Sequence, residues 1–183
     1  NPRSKYKVYE VHDKQKLVGY IVLKIFFEEN KKTGHICQIV CPSKLQKELV
    51  SIVTKALEFA KKRVKSGVSW TDLCESVHLK MYDGCLKIGL VKEFSTTTDQ
   101  IKCMRVLMPH ELGHSVGLDN HDCGPITFLK KDMVVAVEPG IYFQTGKDKS
   151  PHINASTWKK YEHIGGIRIE DTIVITSTGY KNF

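Results

Sequence analysis

The sequence predicts an α+β fold on three observations. Its N-terminal section is rich in β-branched and aromatic residues, its middle section repeats apolar residues at three and four, and its C-terminal section carries short Val- and Ile-rich runs. Strands, two helices and again strands imply a sheet with one face covered by the helices and the other left to hold a site.

The first elements are the runs 6–11 and 18–27, two strands of a hairpin separated by the polar stretch 12–16. The polar run 28–34 reads as a turn before a further strand at 35–40. Pro42 suits the first turn of a helix. Leu45, Leu49, Ile52, Val53, Ala56, Leu57, Ala60 and Val64 then form one apolar stripe over 43–65, and Gly67 stops it. Ser69 with Asp72 three residues on resembles a capping box, and Leu73, Val77, Met81, Cys85 and Ile88 carry a second helix, 69–88, that Gly89 ends. The cluster 96–99 reads as a loop, followed by strands at 103–108, 133–137 and 166–176. The expectation is one domain over 1–183, with strands in 1–41, two long helices in 42–89 and site-bearing strands and loops in 102–183.

A chain of 183 residues buries one full core. It has no window of eighteen uninterrupted apolar residues and no apolar stretch of signal-peptide form at its start, so a cytoplasmic setting without a membrane partner is expected. Opening on Asn rather than Met, it is expected to have lost its true N-terminus. Cys37, Cys41, Cys74, Cys85, Cys103 and Cys123 show no doubled Cys-x-x-Cys spacing and read as mostly buried thiols. The net charge of +8 draws heavily on 44–65, where basic residues flank an apolar stripe as on a solvated helix face; nothing there predicts specific nucleic-acid binding.

The string from Met108 to Asp122 contains His110-Glu111-Leu112-Gly113-His114, an H-E-x-x-H pattern. On a helix it would set His110 and His114 around zinc with Glu111 as general base. Pro109, two glycines within the following eight residues and the lack of an upstream amphipathic period all oppose such a helix. A second reading joins this string to two others nearer the C-terminus. The run Val134 to Val137 ends in Glu138-Pro139-Gly140, and Gly165-Gly166-Ile167-Arg168-Ile169-Glu170-Asp171 sets Arg168 and Glu170 on one face by the period of two. Carboxylates amid Val, Ile and Ala call for a partner or a metal, and two of them with a histidine suggest a metal site on a sheet.

These strings, with Val174-Ile175-Thr176 after them, resemble the pita-bread metallopeptidases, the family of methionine aminopeptidase, and most closely the aminopeptidase P and prolidase branch. Upstream, Gln46 with its long helix and Lys65-Ser66-Gly67 resemble the family's helix and its stop. The resemblance implies a curved antiparallel sheet backed by helices, on which His110, His114, Glu138 and Glu170 converge. It implies metal ligation by His114, Glu138 and Glu170, proton transfer by Glu138, and substrate contacts from His110 and His121. Arg168 would orient Glu170 and its neighbours.

The pattern breaks in three places. Glu111 stands where the family usually has Gly. Matching Gly19-Tyr20 to the family's Gly-Tyr sets His12 and Leu23 where two Asp ligands belong, and Leu23 coordinates nothing. The family's first pseudo-symmetric half is also missing, which predicts that lost sequence or another chain completes the fold. At most one divalent ion (Mn, Co or Zn) is expected, since a metal pair needs more carboxylates to offset its repulsion. Hydrolysis of short proline-containing peptides and an inactive peptide-binding or interaction module both stay open, as does homo-oligomerisation.

Overall fold

The computed structural model describes residues 4–13, 16–28, 31–40, 44–122 and 124–182, with side chains at Tyr9 and from Leu45 onward. By its contacts the chain falls into two units, Asn1–Lys47 and Glu48–Phe183.

In the first unit β1 (Ser4–Asp13), β2 (Lys16–Glu28) and β3 (Lys31–Val40) form an antiparallel sheet in that order. The turn expected over 28–34 is shorter, because Glu28 pairs with Lys31 and Phe26 with Thr33. Polar residues join a strand readily where the ladder continues to satisfy their backbone groups. His12 follows a register irregularity at Val11/His12 and pairs with Leu17. Leu23 follows another at Val22/Leu23 and lies between Lys7 and Ile36. The side chains of His12 and Leu23 lie outside the described residues, as do those of Cys37, Cys41 and Cys123.

Three helices come next: α1 (Lys44–Lys61), α2 (Trp70–Lys87) and α3 (Thr97–Leu107). The predicted stripe of α1 is buried at Leu49, Val53, Ala56, Leu57 and Ala60, and the helix ends four residues before the expected Lys65. An added Cβ at Gly84 of α2 would lie 2.9 Å from the Ile52 side chain, so a glycine permits this close approach of α1 and α2. Ser69 caps α2 as predicted, its hydroxyl accepting from the Asp72 N–H. The strand expected over 103–108 is instead the second half of α3. Thr96 caps it, accepting from the Asp99 N–H at 3.2 Å while donating to the Asp99 carboxylate at 2.7 Å, and Cys103, Met104 and Leu107 form its buried stripe. The 44–65 face is also not uniformly solvated: Lys61 is buried and ion-paired to Asp171.

The remaining elements are β4 (Gly113–Ser115), β5 (Val134–Val137), β6 (Gly140–Tyr142), α4 (Ala155–Tyr161), β7 (Gly166–Arg168), β8 (Asp171–Ile175) and β9 (Tyr180–Asn182). One antiparallel sheet runs β4-β5-β8-β9, and β6 pairs with β7 in another. The single strand expected over 166–176 is therefore two. Both chains of the ladder break at the same level: Glu138-Pro139 interrupts one and Ile169-Glu170 the other, with Ile169 N–H donating to the Pro139 carbonyl at 3.3 Å. Pro139 has no N–H to offer a ladder, so a sheet change at this point leaves one fewer donor to satisfy.

Candidate functional site

The paired break carries the carboxylates singled out in the sequence. Glu138 is 8% exposed. Its N–H donates to the Leu112 carbonyl at 2.8 Å, which ties it to the segment entering β4. Leu112 itself is fully buried and anchors that segment. Gly113 lies against β5 so closely that an added Cβ would overlap the Ala136 carbonyl oxygen. The Met108–His114 segment is thus a loop entering a strand, and the helical zinc motif is absent.

His114, opposite Ala136 in the β4–β5 register, points Nε2 at Glu138 Oε1 across 3.7 Å. Its Nδ1 lies 3.0 Å from the Ser115 carbonyl, which only accepts, so a proton on Nδ1 is donated there. The same carbonyl accepts from the Asp122 N–H, closing the loop that carries His121. The His121 ring meets the His114 ring edge-on, centroids 4.1 Å apart.

His110 is held from both sides, with Nδ1 2.7 Å from the Glu111 carbonyl and Nε2 2.9 Å from Tyr142 Oη. Sequence reasoning missed Tyr142. Its ring lies between two glycines: a Cβ at Gly140 would meet Oη at 2.6 Å, and one at Gly166 would meet Cδ1 at 2.8 Å. Burial pushes its phenol pKa up, the Arg168 charge opposes this, and Glu138 and Glu170 add to it. Glycines two before the tyrosine and at the end of the facing strand were the available signal.

Arg168 donates to Glu138 Oε2 at 2.7 Å. Among the described residues Glu138 is thus the one, of Glu170 and its neighbours, that the guanidinium bonds. The Gly140↔Arg168 register brings the guanidinium beside the Glu138 break, whereas Glu170 falls in the break itself, exposed and outside both strands. Glu111, the departure from the family pattern, contacts the Cys74 thiol on α2. Burial, the leading cause, pushes that thiol up to about 12, with the Leu112 backbone opposing and Glu111 reinforcing. One turn along α2, His78 is 4% exposed, and neither ring nitrogen has a hydrogen-bond partner among the described residues.

Among the described residues no three His, Cys, Asp or Glu side chains converge on a point that would hold a metal ion. His114 and Glu138 supply two facing donors, but a guanidinium already occupies the other oxygen of Glu138, and Glu170 is exposed between β7 and β8. This donor set does not fit a metal pair.

The chain matches the model of metallopeptidase family M24 over residues 2–177. A probable Xaa-Pro aminopeptidase of Emericella nidulans is 32% identical over 169 residues, covering 77% of this chain and 36% of the relative. Another from Tuber melanosporum is 30% identical, covering 98% of this chain and 46% of its own length. The low-pH form of Escherichia coli aminopeptidase P superposes with a TM-score of 0.67 at 26% identity, covering 98% of this chain and 43% of that one. The chain thus spans about a third of the length of the first of these relatives.

Proposed function

Since the chain belongs to metallopeptidase family M24, in its aminopeptidase P/prolidase branch and with part of the pita-bread catalytic domain, we propose that it binds the N-terminal end of short peptides with proline in second position. The observation that carries this reading is the intact wall in which His110 meets Tyr142, His121 meets His114, and Glu138 faces His114 while bonded to Arg168. Polar groups held this way are oriented before a ligand arrives, which lowers the entropy lost on binding.

Hydrolysis by these residues alone is not part of the proposal. With Leu23 and His12 at the positions matched to the two Asp ligands, the negative charge that would hold two cations together is missing. A single divalent ion at His114, Glu138 and Glu170 is the most the chain would hold. We further propose that 1–183 is one partial catalytic-type domain, completed by further sequence or another chain. A cytoplasmic setting goes with it, supported by buried, unpaired Cys74, Cys85 and Cys103.

Calorimetry with Ala-Pro-Ala and Ala-Ala-Ala tests the reading, with at least about tenfold tighter binding of the proline peptide expected. Equal affinities would overturn it. Manganese-dependent turnover of Ala-Pro-Ala that Glu138→Gln abolishes would establish the hydrolytic alternative instead.

A further inference from the structure

Helix α2 carries a buried pair that the wall does not use. Cys74 and His78 stand four residues apart on one face of the helix, a spacing that sets Cβ atoms about 5–6 Å apart. Both residues are 4% exposed. The imidazole is the anomaly, because neither of its nitrogens meets a hydrogen-bond partner among the described residues, whereas buried polar atoms ordinarily find one. The thiol faces the segment that leads into β4, where the Leu112 N–H and the Glu111 side chain reach it. Glu111 is itself exposed and so links the pair to solvent.

We propose that Cys74 and His78 form a two-donor site for a soft monovalent metal ion, copper(I), held between the thiolate sulfur and a ring nitrogen. Thiolate selects copper(I) and imidazole accepts copper readily. Zinc takes four donors, and among the described residues no three His, Cys, Asp or Glu side chains converge, whereas copper(I) is satisfied by two in line. Neighbouring charges act on every cation with the same sign: Glu111 draws it in, while Arg105, and His110 when protonated, repel it. The number and softness of the donors therefore decide which ion fits. On binding, the S–H bond breaks, its proton leaves to solvent and an S–Cu bond forms, with no electron transferred. The Leu112 N–H directed at the sulfur favours the thiolate that results.

The test delivers copper(I) to the full chain without oxygen, in ascorbate, and reads affinity by competition with bicinchoninate. The wild type is expected to retain copper, Cys74→Ala and His78→Leu each to lose at least about tenfold in affinity, and Cys85→Ser, farther along the same helix, to lose nothing. X-ray absorption of the copper-loaded wild type is expected to show one sulfur and one nitrogen neighbour, a readout that needs no variant to fold. Wild-type affinity in either Cys74→Ala or His78→Leu, an equal loss in Cys85→Ser, a centre of sulfur alone, or no copper on the wild type overturns the site.

Discussion

The junction of α1 with β8 and the wall between β5 and β7 each pair a cation with a carboxylate distant in sequence. At the junction Lys61 bonds Asp171 at 2.7 Å and Glu58 at 2.8 Å, and Nζ also lies 5.8 Å from the centre of the Tyr180 ring. Its charge is answered on several sides. At the wall Arg168 is half exposed and takes one Glu138 oxygen, leaving the other turned toward the His114 ring across 3.7 Å. A fully answered buried ion holds structure, whereas a half-answered one is prepared for a ligand.

Glycine substitutions should separate the two regions most strongly. Gly113→Ala drives a Cβ into the Ala136 carbonyl, part of a strand paired on its far side to β8, so the obstacle cannot yield without breaking the ladder. Urea denaturation is expected to show a loss of about 3 kcal/mol or more, or no cooperative transition. Gly67→Ala, just past α1, meets nothing within 4 Å and pays only for its φ of +89°, about 1 kcal/mol. Equal losses would mean that the β4–β5 approach is no tighter than an open turn.

Acid should weaken the helical side behind the wall. Burial, the leading cause, with the charges of Arg105 and His110, lowers His78 to about 4. A histidine depressed on folding binds fewer protons folded than unfolded, so its burial destabilises as pH falls from the unfolded value near 6.5 toward 4. The penalty reaches on the order of 3 kcal/mol at the acid end. His78→Leu is expected to flatten that part of the pH–Tm curve. An unchanged curve would show that His78 finds a partner.

Lys61→Ala leaves Asp171 with its main cation removed, and about 2 kcal/mol is expected, below the usual range for breaking a buried pair because Asp171 is 27% exposed. Lys61→Met should lose less, since it keeps the packed stem. The lysine pKa is raised, first by its hydrogen bond to Asp171 and then by that to Glu58, despite burial. Its contribution is therefore complete below about pH 10 and fades only as pH rises beyond. A wild-type-to-Met difference that changes between pH 6 and 8, roughly the neutral range, would contradict this.

What could be read in advance divides along the same line. The stripe of α1, the Ser69 cap and the family strings depend on local spacing and composition, and they were legible. Helix α3 was not, because Val106, Leu107 and Met108 look strand-like until Thr96 is recognised as a cap for Asp99. Lys61 was assigned to the solvated face since nothing nearby in sequence announces Asp171, 110 residues on. Arg168 and Glu170 were placed on one strand by a period of two that holds only while the strand continues. The break at Ile169-Glu170 answers Pro139 on the neighbouring chain, a non-local cause. Tyr142 was missed for a related reason, since its slot needs Gly166 from the facing strand.

Arg168→Ala should have the smallest effect on stability and gives the sharpest test of the difference between the two ion pairs. Its guanidinium is half in water, so solvent can take over the Glu138 oxygen it leaves, and less than about 1 kcal/mol is expected. Its consequence should appear in ion binding instead. With the guanidinium gone, Glu138 offers both oxygens beside the His114 ring and Arg168 no longer repels an entering ion. Mn²⁺ retained after dialysis is expected to be negligible for the wild type and to rise at least about tenfold in affinity for the variant, a difference of about 1.4 kcal/mol in binding. Arg168→Lys, keeping charge without the planar fork, should fall between them. A loss of stability as large as that of Lys61→Ala, with no gain in Mn²⁺ binding, would make Arg168 a structural staple like Lys61 and remove the reason to treat the two regions as different.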